Sequence, residues 1–148
     1  MKLIVDTNIA FSALLNTTSM IGEILLNLQD DLEFYAPELL REELERYEYK
    51  LLKASKLNKE QLKEATLRLL PRLTLVSEDL ICENSWKKAF DLTKDIDEDD
   101  TPFVALSIEL NAKLWTGDKK LATGLSIKGS EIIITTSQLT NFLKEKFN

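Results

Sequence analysis

Four acidic residues of this sequence lie at or near the ends of apolar segments, positions that folding can bring close together. Asp6 and Asp118 each close a short apolar run, Asp100 directly precedes a longer one, and Glu43 lies early in an amphipathic segment. The sequence has no histidine and one cysteine, Cys82, which excludes histidine general bases, Ser-His-Asp and Cys-His catalysis, and cysteine-based zinc clusters. If the protein is an enzyme, carboxylates must carry its chemistry.

Grouped carboxylates suit metal-dependent chemistry. Two carboxylates about 4 Å apart repel each other by on the order of 4 kcal/mol at an effective dielectric of roughly 20, so protons or cations must relieve them. Oxygen ligands without nitrogen or sulfur partners favour Mg²⁺ or Mn²⁺. Such an ion lowers the pKa of a bound water and offsets charge on a phosphodiester, which suits cleavage of a nucleic-acid backbone. The alternative for any one acid is a helix cap or a solvated charge.

Short apolar segments alternate with amphipathic segments along the whole chain. Strands are predicted at residues 2–6, 32–36, 73–76, 113–116 and 131–135. Helices are predicted at residues 9–15, 20–28, 38–54, 58–70, 85–93, 101–110 and 137–147, and a short helix or turn at 119–125. This alternation predicts an α/β fold, a three-layer α/β/α sandwich with a central parallel sheet, in a single domain over residues 1–148.

The predicted fold brings the four acids to one edge of the sheet. In open α/β sheets, ligands bind outside the carboxyl ends of the strands, and Asp6 and Asp118 lie there. Thr101 is predicted to cap the helix that Asp100 precedes, and a proline follows it in the first turn. The helix that carries Glu43 begins just after the second strand, so it starts from the same edge.

Further charges surround the predicted site. The run 95–100 contains five acids, of which Asp97 and Asp99 are kept as auxiliary ligands, and Asp97 is an alternative to Asp100. The other charges of the run are interpreted as solvated. Four basic residues near the site are also interpreted as solvated, with phosphate contact as the alternative: Arg41, Arg46, Lys119 and Lys120.

The composition is that of an ordinary globular chain with an acidic balance. The 148 residues are 44% hydrophobic and 30% charged, and the formal net charge is −6. This charge argues weakly against a broad basic face for nucleic acid, although divalent cations can neutralise clustered acids locally. No apolar run approaches the roughly 20 residues of a membrane helix, and the N-terminus does not read as a signal peptide. We expect a cytoplasmic protein with no membrane partner.

Several short motifs of the chain together resemble one known family. They are Ile4-Val5-Asp6-Thr7-Asn8, Glu43-Leu44, Asp100-Thr101-Pro102-Phe103-Val104-Ala105-Leu106 and Thr116-Gly117-Asp118. In this order they resemble the PIN domain, a family of metal-dependent ribonucleases that includes the toxins of many prokaryotic toxin-antitoxin pairs. The resemblance covers essentially the whole chain. It implies a Mg²⁺- or Mn²⁺-dependent endoribonuclease on a parallel α/β/α fold.

The same resemblance implies a role for each matching residue. Asp6, Asp100 and Asp118 would be metal ligands, and Glu43 would be a ligand or a water-orienting acid. Glu43 is preferred to the adjacent Glu42 because a leucine follows it, as in the family pattern. Three polar residues would support these acids: Thr7, Asn8 and Thr116.

The resemblance also implies partners, and two other functions stay open. RNA is the expected substrate, an antitoxin protein is an expected partner, and homodimerisation is common among look-alikes. The helical hairpin at 38–70 is our candidate for the dimer or partner surface. One alternative is a PIN-like binding or scaffold module with weak or no catalysis. Another is a phosphatase or receiver-like domain with a nucleophilic Asp6, although Asn8 stands where a haloacid-dehalogenase-like site would want a second aspartate.

Overall fold

The central element is a five-stranded sheet in which every neighbouring pair of strands is parallel. The computed structural model describes residues 1–27 and 30–147. The strands are β1 Lys2–Val5, β2 Glu33–Pro37, β3 Leu73–Val76, β4 Lys113–Trp115 and β5 Ile133–Ile134, in the spatial order β3-β2-β1-β4-β5. The predicted parallel α/β fold is thereby confirmed. The last strand is shorter than the predicted segment 131–135.

The helices fill the connections between the strands. They are α1 Thr7–Leu15, α2 Met20–Leu26, α3 Leu39–Arg46, α4 Glu48–Ala54, α5 Lys59–Leu69, α6 Glu83–Thr93, α7 Thr101–Leu110, α8 Lys119–Ile127 and α9 Thr136–Phe147. The predicted end of the second helix at residue 28 lies outside the described residues. A 3₁₀ turn at Glu98–Asp100 leads into α7.

The order of the strands creates a crevice between β1 and β4. The chain runs outward from β1 through β2 to β3, and then returns to place β4 on the other side of β1. Because parallel crossovers are right-handed, the helices of the outward and returning connections cover opposite faces. The connections diverge at the carboxyl ends of β1 and β4, which is the usual ligand position in such sheets.

Sequence explains why β1 and β4 form the centre. Leu3, Ile4 and Val5 are fully buried in β1, as a strand covered on both faces requires. Val5 is in register with Trp115 of β4, which is also fully buried. The polar residues that follow these strands are therefore held on a rigid base, since the preceding residues cannot move without opening the core.

The predicted continuous helix at 38–54 is wrong in one respect. It is interrupted at Tyr47, whose backbone leaves the helical region with φ −103° and ψ 16°. This break lets the Tyr47 ring pack edge-on against Phe11 of α1, with ring centroids 5.9 Å apart. The helical hairpin at 38–70 packs against the core of the domain, because Leu44, Leu51 and Leu62 are buried in that core.

In the described part of the chain, no single helix is long and apolar enough to cross a membrane. One pair of helices, α1 with α2, reaches the required length and composition only when taken together, and the two are bent by 106°.

Candidate active site at the ends of strands 1 and 4

Asp6 is the most buried of the four predicted acids. It follows β1 and caps α1, so its Oδ1 accepts the backbone N–H of Thr7 at 2.8 Å. Its Oδ2 accepts the hydroxyl of Thr116 at 2.7 Å and the side-chain amide of Asn8 at 3.2 Å. Only 5% of the residue is exposed. Burial raises the pKa of Asp6, and these hydrogen bonds oppose that rise because they stabilise the charged form.

Thr116 joins the loops that follow the two central strands. Besides donating to Asp6, its hydroxyl oxygen accepts the Asn8 amide at 3.2 Å and the backbone N–H of Asp118 at 3.0 Å. The carbonyl of the Asn8 side chain accepts the backbone N–H of Gly117 at 3.0 Å. The two predicted supports, Asn8 and Thr116, thus lie together and fix the orientation of Asp6.

Asp118 lies at the end of β4, as its sequence position predicts. It caps α8, and its Oδ1 accepts the backbone N–H of Leu121 at 3.1 Å. Its charge raises the pKa values of both Asp6 and Asp100. This effect places Asp118 within the electrostatic range of the two other aspartates.

Glu43 reaches the same place from helix α3. It is half-buried, and its Oε1 accepts the hydroxyl of Thr7 at 3.1 Å. Burial raises the pKa of Glu43, the charges of Asp6 and Asp99 raise it further, and the charge of Arg46 opposes them. Glu43 is therefore bound to Thr7, the residue that directly follows Asp6. This contact supports the choice of Glu43 over the adjacent Glu42.

Asp100 is the least satisfied acid of the site. The residue is half-buried, and its Oδ2 is buried without a hydrogen-bond partner. Burial, together with the charges of Asp6, Asp97, Asp118 and Asp99, raises the pKa of Asp100 to about 7. An unpartnered buried carboxylate oxygen among other acids is a strong acceptor for a proton or a cation.

The acids converge, but they are not arranged as a finished metal site. Within residues 1–27 and 30–147, no group of three or more acidic or cysteine side chains is placed to hold a metal ion. The donor chemistry nevertheless fits a hard divalent cation, because all donors are oxygens and one of them, Oδ2 of Asp100, has no other partner. Binding such an ion requires at least one side chain to rotate toward Asp6 and Asp100.

The acidic loop differs from expectation at Thr101. This residue does not cap α7: it is the first residue of that helix, and its hydroxyl shares a hydrogen bond of 2.7 Å with Thr93 of α6. That hydrogen bond anchors α7 to α6, and no side chain caps the helix. Asp97 caps the 3₁₀ turn, where its Oδ1 accepts the Asp99 N–H at 3.0 Å.

Some of the basic residues near the site form salt bridges, and others do not. Arg41 forms an exposed ion pair with Glu38 at 3.9 Å. Asp95, the first acid of the run 95–100, forms a salt bridge with Lys128, the residue that follows α8. Sequence gave no signal for this pairing, because the two residues are far apart in the chain. Lys119 and Lys120 are exposed beside Asp118, and neither forms a salt bridge within the described residues.

Comparison with known proteins agrees with this geometry. The sequence matches the PIN domain family over residues 4–140. The chain belongs to the PIN domain family. A chain in the crystal structure of VapBC2 from Rickettsia felis bound to a DNA fragment from their promoter superposes with a TM-score of 0.65. The two chains are 21% identical, and the alignment covers 91% of this PIN domain chain and 97% of the other, which shows a shared fold. No curated protein matches the sequence.

Thr116→Val is expected to destabilise this PIN domain by about 1–3 kcal/mol, because it leaves the Asp118 N–H and one lone pair of Asp6 unpaired without changing side-chain volume. It should also raise the pKa of Asp6, since the Thr116 hydroxyl lowers it. Urea unfolding and NMR titration of the Asp6 carboxyl carbon measure the two effects. Thr116→Ser, which keeps the hydroxyl, should leave the pKa unchanged; equal pKa values in all three proteins would contradict the assigned hydrogen bond.

Asp100→Asn is expected to stabilise the metal-free protein at pH 8. The folded pKa of about 7 exceeds the ordinary value of 3.8, so wild-type stability falls as the pH rises from about 4 to 7 and stays low above it. Allowing for partial exposure of the side chain, the gain at pH 8 is about 2 kcal/mol. Urea unfolding in a chelator at pH 5 and pH 8 measures it.

The matched control for this substitution is Asp79→Asn, which removes the same charge from an exposed turn. It should show no gain that grows with pH. A stability difference between Asp100→Asn and wild type that is the same at pH 5 and pH 8 would contradict the raised pKa.

Proposed function

We propose that this PIN domain is a Mg²⁺- or Mn²⁺-dependent endoribonuclease that hydrolyses phosphodiester bonds in RNA. The observation that carries the proposal is the buried, unpartnered Oδ2 of Asp100 among the charges of Asp6 and Asp118. A buried carboxylate of this kind costs stability, and a function that needs negative charge there accounts for it. Membership in the PIN domain family supports the same reaction.

Each residue of the site has a part in this reaction. Asp6, Asp100 and Asp118 would hold the divalent cation, which supplies a water of lowered pKa and offsets charge on the phosphate. Glu43, held by the Thr7 hydroxyl, orients and deprotonates the attacking water. Thr116 and Asn8 keep the Asp6 carboxylate facing the crevice. The auxiliary acids Asp97 and Asp99 add negative charge at the exposed side of Asp100.

The raised pKa values of the acids suit this division of labour. Glu43 has a pKa above its ordinary value, which makes it a better proton acceptor than a solvated glutamate. Asp6 and Asp100 repel each other, so a bound cation would favour the charged forms of both. The repulsion between these two carboxylates destabilises the metal-free protein, and binding of a cation would relieve it.

We further propose that the chain is the toxin of a toxin-antitoxin pair, acting as a single domain in the cytoplasm. The family resemblance supports this role, and the chain that shares the fold comes from VapBC2 bound to a DNA fragment from their promoter. An antitoxin protein would then be a partner, and a homodimer is the proposed assembly. Copurification with the product of an adjacent gene, and light scattering of the purified protein, test these two statements.

Cleavage of a structured RNA by the purified protein tests the proposed reaction. We expect internal cleavage in Mg²⁺ or Mn²⁺, with new ends that accumulate with time, and none in a chelator. RNA binding without cleavage in either metal would replace the proposal with the binding-module function. Turnover of a generic phosphate monoester through a phosphorylated aspartate would replace it with the phosphatase alternative.

A further inference from the structure

A groove runs along one side of α8, next to the acids. It lies between α8 and the turn that follows α6, and its volume is about 550 Å³, within the range of small-ligand sites. We call it the lysine groove and define it by its lining residues, which include one acid: Asp95, Ile96, Lys119, Lys120, Thr123, Gly124, Ile127 and Lys128. The site described above uses none of these residues.

Both walls of the lysine groove begin at the candidate active site. Lys119 is the first residue of α8 and directly follows Asp118. Ile96, on the opposite wall, directly precedes Asp97. The groove therefore begins one residue along the chain from Asp118 on one wall and from Asp97 on the other.

The groove is a local concentration of positive charge on an acidic protein. Residues 119–130 contain three lysines and no acid, whereas the whole chain has a net charge of −6. Lys128 is occupied, because it donates to the carboxylate of Asp95 and to the carbonyl of Leu92. Lys119 and Lys120 form no salt bridge with any described residue, so their charges are available to an anion.

The groove also has an apolar part. Ile127 is 81% exposed, which is unusual for a residue of this size, and Ile96 is half-buried opposite α8. Gly124 permits this close approach, since a Cβ atom there would lie 2.5 Å from Cδ1 of Ile96. Cations at one end and exposed aliphatic carbon along the walls match a ligand that carries both phosphate and an apolar ring face.

We propose that the lysine groove binds a nucleotide of the RNA strand next to the bond that is cut. Lys119 and Lys120 contact its phosphates, and Ile96 and Ile127 pack against its base or ribose. The choice of RNA as the ligand rests on the proposed ribonuclease function. Because the contacts are to phosphate and to ring faces, the groove positions the strand and does not read its sequence.

RNA binding in a chelator tests the groove separately from cleavage. We compare wild type with Lys119→Gln/Lys120→Gln by fluorescence anisotropy, using a short labelled single-stranded RNA at several salt concentrations. Losing two phosphate contacts should weaken binding about tenfold at low salt and reduce the slope of log K against log salt by about 1.4. The matched control is Lys87→Gln/Lys88→Gln, an adjacent exposed pair on α6 outside the groove. It should change the affinity less than about twofold.

Methyl NMR locates the ligand directly. Titration with the same RNA should shift the Ile127 and Ile96 methyl signals of wild type, and the Lys119→Gln/Lys120→Gln protein should need about tenfold more RNA for the same shifts. In the cleavage assay, this variant should raise KM and leave kcat near its wild-type value, as loss of a positioning contact requires. These measurements distinguish RNA that is bound in the groove from a general loss of affinity caused by the lower positive charge of the variant.

The outcomes distinguish the groove from the reaction. Equal loss of affinity in the two double variants, unshifted isoleucine signals, or no RNA binding by wild type overturns the groove. Normal cleavage with an unchanged KM in Lys119→Gln/Lys120→Gln also overturns it and leaves the ribonuclease standing. Groove-dependent RNA binding by a wild type that cuts no RNA in Mg²⁺ or Mn²⁺ supports the groove and refutes the proposed reaction.

Discussion

Asp6→Asn and Asp100→Asn are each expected to reduce RNA cleavage by on the order of a thousandfold, equivalent to about 4 kcal/mol of transition-state stabilisation. Asparagine keeps the size of the aspartate but removes the charge that would hold a divalent cation. At Asp6 the amide oxygen can replace Oδ1 as the acceptor of the Thr7 N–H, whereas the NH₂ group that replaces Oδ2 cannot accept the Thr116 hydroxyl. The rate of internal RNA cleavage in Mn²⁺ measures the effect.

Two controls make this result interpretable. Asp79→Asn, purified in the same way, should cleave RNA at the wild-type rate. Because a contaminating nuclease would remain in every preparation, activity that is lost only in the two site variants belongs to this protein. Circular dichroism and thermal unfolding should show that both site variants are folded. Cleavage at wild-type rates by both folded site variants would remove these acids from the reaction.

The overall architecture could be predicted because its signals are local. The run before Asp6 has no polar residue between Lys2 and the acid, which is typical of a strand covered on both faces. Four further runs of similar type alternate with helical patterns, and parallel order follows from that alternation. The positions of Asp6 and Asp118 at strand ends follow from the same patterns.

Features that depend on contacts between distant segments could not be predicted. The break at Tyr47 makes room for a ring contact with Phe11, which lies in a different helix. Thr101 has the sequence context of a cap, but a buried partner, Thr93, takes its hydroxyl. The pairing of Lys128 with Asp95 engages an acid that is interpreted from the sequence as solvated. In each case a tertiary contact overrode a local preference.

The candidate site lies between these two cases. Strand-end geometry predicts that these acids meet, and in the structure Thr7, Asn8 and Thr116 donate hydrogen bonds to Glu43 or Asp6. Sequence could not reveal how far each carboxylate stands from the next. Their roles as ligands remain predictions, because the side chains do not form a metal site as they stand.

Mn²⁺ binding is expected to depend on both acids and steeply on pH. Asp100 must lose its proton to become a ligand, and its pKa in the metal-free protein is about 7. Below that pH the ion competes with a proton, so affinity should rise roughly tenfold per pH unit between pH 5.5 and 6.5 and level off above pH 7.5. Calorimetry in two buffers of different ionisation enthalpy measures the affinity and the protons released.

The variants decide whether Asp100 is the source of this pH dependence. Asp6→Asn and Asp100→Asn should both lose Mn²⁺ binding, whereas Asp79→Asn should keep wild-type affinity and proton release. Because a side chain must rotate to complete the site, wild-type affinity should be weaker than that of a preformed carboxylate site, and added RNA should strengthen it by contributing phosphate oxygens. Undiminished binding in both site variants, or an affinity that does not change between pH 5.5 and 7.5, would separate the buried acids from the metal and favour the binding-module function.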